Sequence, residues 1–216
     1  MSVFDLFNLF YQSENNVTMM EQSLTNKGGG RGWEPVQSVL KFITLMIRQA
    51  SNMVDVALAD KNNRQILHNL MQLYLHDFSE FDDEDVDEHG LFEYAYLDLY
   101  WLEERRFPFM ISSEGKLAGF ALISRGAFHL QHNIHVEELV NMSEFFVMRK
   151  YRRRGVGRTA AYDCFNRIQG NWQVKTPANN LIAVDFWRKI IKEYTGGKFD
   201  EFHNHKNTSV AYYFTS

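Results

Sequence analysis

The sequence predicts a mixed α/β (α+β) domain built on a mostly antiparallel sheet with at least one parallel strand–helix–strand unit. Three observations predict it. Short apolar or alternating runs recur between clusters of turn-forming residues, as strands require. Longer segments instead repeat their apolar residues every three or four positions, as helices do. The order of these segments is strand, helices, three strands, helix, strand, helix, strand, and its closing alternation calls for a crossover between parallel neighbours.

Residues 1–50 read as an N-terminal extension, flexible or helical, and residues 51–216 as the folded domain. In the extension, Lys27-Gly28-Gly29-Gly30-Arg31-Gly32 forms a flexible basic link, and Val36, Leu40, Ile43 and Ile47 recur at helical spacing. From there the pattern changes. Val54, Val56 and Leu58 alternate with Asp55 and Ala57, as in a half-buried strand. Asp60 reads as a helix cap before Ile66, Leu67, Leu70, Leu73 and Tyr74 at helical spacing. Residues 82–88 are nearly all acidic and read as a solvated loop, with contact to a cationic substrate as the functional alternative. Residues 97–106 read as a short helix. Residues 108–112 and 117–123 form a hairpin around Glu114-Gly115-Lys116. Residues 143–148 make a strand, residues 155–168 a helix ended by Gly170, and residues 172–175 a short strand. A last helix over residues 180–194 stops at Gly196-Gly197, and residues 210–214 form the terminal strand.

Composition narrows the function classes. With 216 residues the chain suits one domain plus an appended segment, and 45% apolar residues exclude wholesale disorder. The 18 phenylalanines predict a core of large rings. A net charge of -4 argues against a dedicated nucleic-acid binder, so no nucleic-acid partner is expected. No apolar run approaches the ~20 residues of a membrane span, and the start Ser2-Val3-Phe4-Asp5 lacks a secretory pattern, so no membrane partner is expected. Cys164 is the only cysteine, which rules out an intrachain disulfide and suits a cytoplasmic location.

The chemistry concentrates in residues 144–158. There an apolar strand runs into Arg152-Arg153-Arg154-Gly155-Val156-Gly157-Arg158, and this basic, glycine-punctuated turn opens a helix. First-turn amides of a helix have no intrahelical partner and carry about half a positive charge between them. Gly155 and Gly157 clear the backbone of side chains, and the arginines add charge, so the turn suits a pyrophosphate. The dinucleotide fingerprint fits poorly, because Arg152 to Arg154 sit oddly before it and no early strand–helix–strand unit surrounds it. The nucleotide-triphosphate loop needs Gly-Lys followed by Ser or Thr, which is absent.

Arg-x-x-Gly-x-Gly after an apolar strand resembles the pyrophosphate loop of the GNAT N-acetyltransferases. Asn180-x-x-Ala183-x-x-Phe186-Trp187 resembles that family's second signature on the last core helix. The resemblance spans roughly residues 53–216, and its wording is most like a bacterial subgroup of predicted acetyltransferases. It implies a twisted, mostly antiparallel sheet of about six to seven strands flanked by helices, with a splayed strand pair at an acetyl-CoA cleft. It further implies an acyltransferase moving an acetyl group from acetyl-CoA, its co-substrate, to an amine acceptor in a ternary complex, with no metal. The amides of Arg153, Arg154, Gly155, Val156, Gly157 and Arg158 would hold the pyrophosphate, with Arg152 adding charge beside them. Phe146, Val147 and Met148 would present main-chain groups to the pantetheine arm, and Asn180 would contact it or order the nearby loop. A homodimer is common in such folds.

One departure matters. The family often has tyrosine, its general acid, where this chain has Trp187, and an indole N–H is a poor acid. A non-catalytic acyl-CoA sensor with the same cleft is therefore the alternative. Glu144 is the candidate base, since an ammonium must lose a proton before it can attack a thioester. Asp77 and Glu80, after the first helix, are candidates for acceptor binding. Tyr94, Tyr96, Tyr100 and Trp101 suit either an acceptor pocket or the core. His129, His132 and His135 keep neither helical nor strand phase and suit a surface loop or acceptor wall better than a metal site. His203 and His205 alternate along an extended segment and suit surface decoration. Cys164, inside a helix, reads as a small core residue.

Overall fold

Pro108 explains why the chain is already extended where the sequence pattern continued a helix. Proline lacks the donor a helix interior needs and biases the preceding residue towards β geometry. In the computed structural model, which describes residues 54–126 and 138–216, the helix expected over residues 97–106 shrinks to a 3-10 segment, Leu97–Trp101. Strand β2 (Arg106–Ser113) starts after a short turn over residues 102–105, with Arg106 bonded to Glu103 at 2.6 Å. Strand β1 (Val54–Leu58) pairs antiparallel with β2. Strand β3 (Lys116–Gly126) returns through Glu114 and Gly115, whose φ values of 51° and 70° give the left-handed pair that a tight hairpin prefers.

The sheet has seven strands, completed by β4 (Leu139–Val147), β5 (Asn171–Pro177), β6 (Asp200–His203) and β7 (Ser209–Thr215), in the order β1-β2-β3-β4-β5-β7-β6. Every pairing is antiparallel except β4 with β5. β6 is an addition to the sequence reading. Its four residues, Asp-Glu-Phe-His, offer no apolar alternation, and it forms by pairing with β7 at the sheet edge. There Glu201 also takes two bonds from Arg188, at 2.7 and 2.8 Å.

Three helices flank the sheet: α1 (Arg64–Phe78), α2 (Val156–Arg167), which carries the crossover from β4 to β5, and α3 (Leu181–Thr195). Asp60 caps the 3-10 turn that leads into α1, accepting from the amides of Asn62 and Asn63. On one face of the sheet, α1 contributes Leu67, Leu70 and Met71 to a core with Phe120, Leu122 and Phe146. Ile66 and Leu73, which share the helical spacing, are 40% and 50% exposed, so the buried stripe is narrower than the pattern implied. On the other face, α2 and α3 bury Ala160, Cys164, Phe165, Val184, Trp187 and Ile191 among residues such as Met142, Trp172, Val174 and Phe214. Rings dominate this core as the phenylalanine content predicts: Phe165 lies 4.9 Å from both Trp172 and Phe214. No helix among the described residues is long and apolar enough to cross a membrane.

Two irregularities shape the site. Leu122 pairs with Glu144 and Ile123 with Met142, so Ser143 is an extra, unpaired residue in β4. Val140 and Met142, before this bulge, belong to the α2/α3 core, whereas Phe146, after it, belongs to the α1 core. The bulge thus turns Glu144 onto the α1 face, against the parity it would otherwise share with Met142. Second, β4 and β5 pair over only three positions, Val140–Trp172, Asn141–Gln173 and Met142–Val174, although both strands run on beyond them.

Candidate active site

Past Met142 and Val174 the two strands separate, and a cleft of about 650 Å³ opens between them. Its lining includes Glu144 and Phe145 from β4, Lys175 and Thr176 from β5, Ala183 and Trp187 from α3, and Tyr74 from α1. It therefore draws on elements from both faces of the sheet.

Register decides which main-chain groups of β4 face this opening. Met148 N–H donates to Ala118 O at 2.8 Å, so residues of its parity bond to β3, and those of opposite parity point the other way. The sequence reading expected outward main-chain groups at Phe146, Val147 and Met148; by register they are those of Phe145 and Val147. Phe146 and Met148 direct their groups at β3. The Val147 carbonyl in turn accepts from Arg152 Nε at 2.7 Å. Strand β3 comes very close here, because a Cβ on Gly119 would lie 1.9 Å from Phe146 O. Only glycine fits at position 119, a constraint the sequence alone does not signal.

At the end of β4, a 3-10 turn over Arg149–Tyr151 precedes the basic segment. Arg153 and Gly155 have φ values of 59° and 82°, and the position a Cβ would take on Gly155 is open space. The first intrahelical bond of α2 is Thr159 N–H to Gly155 O at 3.0 Å, so the amides of Val156 and Gly157 precede the helix's own ladder. The two glycines have different jobs. Gly155 supplies the left-handed entry, whereas a Cβ on Gly157 would meet the Phe186 ring at 3.3 Å, so Gly157 lets α2 approach α3. The arginines divide too. Arg149 and Arg152 both bond to Asp77, at 2.7 and 2.6 Å, and Arg158 pairs with Glu193 at 3.1 Å while lying over the Tyr162 ring. Arg153 and Arg154 are exposed at the turn.

Asp77 therefore faces the basic turn rather than standing clear as an acceptor-site carboxylate. Burial pushes its carboxyl up, but the hydrogen bonds from Arg152 and Arg149 outweigh burial and hold it below the usual carboxylate range. Glu80 is exposed just past the end of α1. Asn180 caps α3 by accepting from Ala183 N–H at 3.0 Å, and it lines the cleft. Its neighbour Asn179 donates to Phe81 O at 3.1 Å, tying the segment after α1 to the turn before α3. Trp187 is buried against Phe145, Phe165 and Phe186, with ring centroids 5.1, 6.5 and 4.9 Å away.

Glu144 lies in the cleft. Tyr74 O–H donates to Oε2 at 2.5 Å and Tyr94 O–H to Oε1 at 2.9 Å. Burial raises the proton affinity of the carboxyl, the two tyrosine bonds lower it, and the net displacement is upward. Both hydroxyls are themselves held protonated, chiefly by burial and then by the charge of Glu144. In the sequence Tyr74 is only one more apolar helix position, since its link to Glu144 spans 70 residues and leaves no local pattern. Tyr94 does face the site; Tyr100 joins the α1 core and Trp101 donates to Ala59 O at 3.0 Å. Cys164 is buried and its thiol is pushed up to about 12, chiefly by burial. Among the described residues no cluster could hold a metal ion. His129, His132 and His135 lie outside them, as does the extension 1–50.

Comparison with known proteins agrees with this arrangement. A model of the acetyltransferase (GNAT) family matches residues 67–191, more than half of the chain. No curated protein matches. Among solved structures the chain is similar to an acetyltransferase from Thermus thermophilus, at 15% identity and a TM-score of 0.53 over 76% of this chain and 97% of that one. It is similar to a GNAT-family acetyltransferase from Streptococcus agalactiae, at 14% identity and a TM-score of 0.56 over 76% and 95%. A spermidine N-acetyltransferase from Vibrio cholerae, solved with CoA and spermine, aligns at 11% identity and a TM-score of 0.50 over 76% and 96%. At these identities the structural likeness speaks for the fold.

Proposed function

The chain belongs to the GNAT acetyltransferase family, and from that premise we propose that it transfers the acetyl group of acetyl-CoA to a primary amine by direct attack within a ternary complex. The observation that carries the proposal is the opening between β4 and β5, with a basic helix N-terminus at the end of β4 and a twice-bonded carboxylate inside the cleft. The residues fit such a ligand: the turn at Gly155 has open space in front of it, and the cleft leaves one edge of β4 unpaired.

Acetyl-CoA supplies the acetyl group as a thioester whose thiolate is a good leaving group. The amides entering α2, with Arg153 and Arg154 beside them, would hold its pyrophosphate. The outward groups of Phe145 and Val147 would align its extended arm as an added strand. Asp77 fixes Arg149 and Arg152, so these two shape the turn instead of reaching for the ligand. Glu144 accepts the proton that the acceptor ammonium must lose, and burial raises its proton affinity above that of an ordinary carboxylate. Trp187 forms an apolar wall and donates no proton to the thiolate.

A second reading, a non-catalytic acyl-CoA sensor, draws on that same indole at the position the family often gives to an acid. Calorimetric titration with acetyl-CoA, with Gly155→Glu as control, comes first. Micromolar binding that the variant abolishes supports the cleft; no binding at millimolar acetyl-CoA sinks both readings. A panel of amines then separates them. Acetylation that falls in Glu144→Gln supports the enzyme, and tight binding with no acetylated amine supports the sensor.

A further inference from the structure

We infer that Tyr74 and Tyr94 are positioning residues for Glu144, forming a two-point clamp with one hydroxyl on each carboxylate oxygen that fixes its orientation and sets its proton affinity. The inference rests on reading Glu144 as the base. The two donors come from separate elements. Tyr74 stands on α1 and is wedged by the Phe120 and Phe146 rings, with centroids 5.8 and 5.9 Å away. Tyr94 stands on the loop after α1. Gln72 pins that loop, donating to Phe92 O at 2.9 Å and accepting from Phe92 N–H at 2.8 Å. The bulge at Ser143 brings Glu144 onto this face, so bulge, helix and loop converge on one carboxylate.

The geometry has a chemical consequence. Each oxygen offers about two acceptor directions, so one bond apiece holds the group while leaving it free to accept a further proton. Both tyrosines donate, and donation to a carboxylate favours its charged form. Burial favours the neutral form, so the clamp sets the balance between the two. Other charged or titratable groups surround the three: Lys175 lines the cleft from β5, Tyr100 and Arg106 act on Tyr94, and Asp82 acts on Tyr74. Among the described residues only Tyr74 and Tyr94 bond to the Glu144 carboxylate.

The test follows the Glu144 carboxyl by carbon NMR in full-length protein labelled at glutamate carboxyl carbons, with Glu144→Gln assigning the signal. Tyr74→Phe and Tyr94→Phe should each move the Glu144 titration upward by about one pH unit, the size of one bond to a charged group. An unmoved titration in both variants overturns the clamp, and a shift in only one overturns its two-point form. If Tyr74→Phe fails to fold, an unmoved titration in Tyr94→Phe, which keeps the ring and removes only the hydroxyl, still overturns the clamp. This titration needs no acceptor. A shift without any acetyl transfer therefore keeps the clamp and sinks the base, while transfer without a shift does the reverse. Where transfer is measurable, the acid limb of kcat/KM should move up by the same interval in both variants with the KM for acetyl-CoA unchanged, which loosened packing alone would not produce.

Discussion

Two opposing effects meet on the Glu144 carboxyl, and the pH dependence follows from which one wins. Burial outweighs the tyrosine bonds, so the folded-state pKa lies above the ordinary carboxylate value. The base works deprotonated, and kcat/KM should therefore fall as pH drops through a value higher than an exposed glutamate would give. Glu144→Gln should erase that limb and lower kcat/KM at neutral pH by about 100-fold. For stability the sign runs the other way. A raised folded pKa favours the protonated form in the fold, so this group's contribution is complete below its unfolded pKa and is lost as pH rises through the folded value. Thermal denaturation should accordingly show Glu144→Gln gaining on the parent as pH rises from the unfolded glutamate value, about 4, through the raised folded value. A change that is the same at both ends would contradict it. Gly119→Ala should cost about 3 kcal/mol, read as a lower denaturant midpoint at unchanged slope, because its Cβ has no room beside Phe146 O. At this scale the left-handed entry at Gly155 was legible, since the turn is local. Tyr74 and Gly119 were not, because what makes each of them matter is a partner far along the chain.

Helices and turns carry their own signals, which is why Asp60, Asn180 and Gly196 could be read as boundaries from neighbouring residues. Asn180→Ala should remove the α3 cap and about 1 kcal/mol of stability, while Asn180→Ser should retain most of it. The basic turn was legible as the start of a helix but not in its division of labour, because Asp77 lies 72 and 75 residues before its partners Arg149 and Arg152. Asp77→Asn should weaken acetyl-CoA binding about tenfold in calorimetry, the equivalent of one charge-assisted bond. An unchanged affinity would mean that the main chain alone holds the turn. Strand β6 was missed because its pairing with β7, not its composition, makes it a strand. The helix expected over residues 97–106 was overdrawn because apolar spacing takes no account of Pro108 just beyond it.

At the scale of the whole molecule, a mostly antiparallel sheet with one parallel unit was legible because the helices and most strands keep their apolar periods, and a crossover helix between strands leaves few topologies open. The separation of β4 and β5 was available only through resemblance, since no residue in either strand announces where pairing stops. Cys164 offers a reporter for the global fold: buried, with its thiol pushed up to about 12, it should react with a thiol reagent only as fast as the domain unfolds. A rapid reaction in native buffer would show local opening between α2 and the sheet. Sheets ordinarily expose their unsatisfied main-chain groups at two rims, here β1 and β6. This one has a third rim in its interior, along β4 past Met142, where Arg152 already donates to the Val147 carbonyl. A guest for that slot must be thin and extended, with amides that can pair with the open edge of β4. Under the proposed function, short extended peptides should therefore compete with acetyl-CoA there, as should inhibitors built as β-strand mimics.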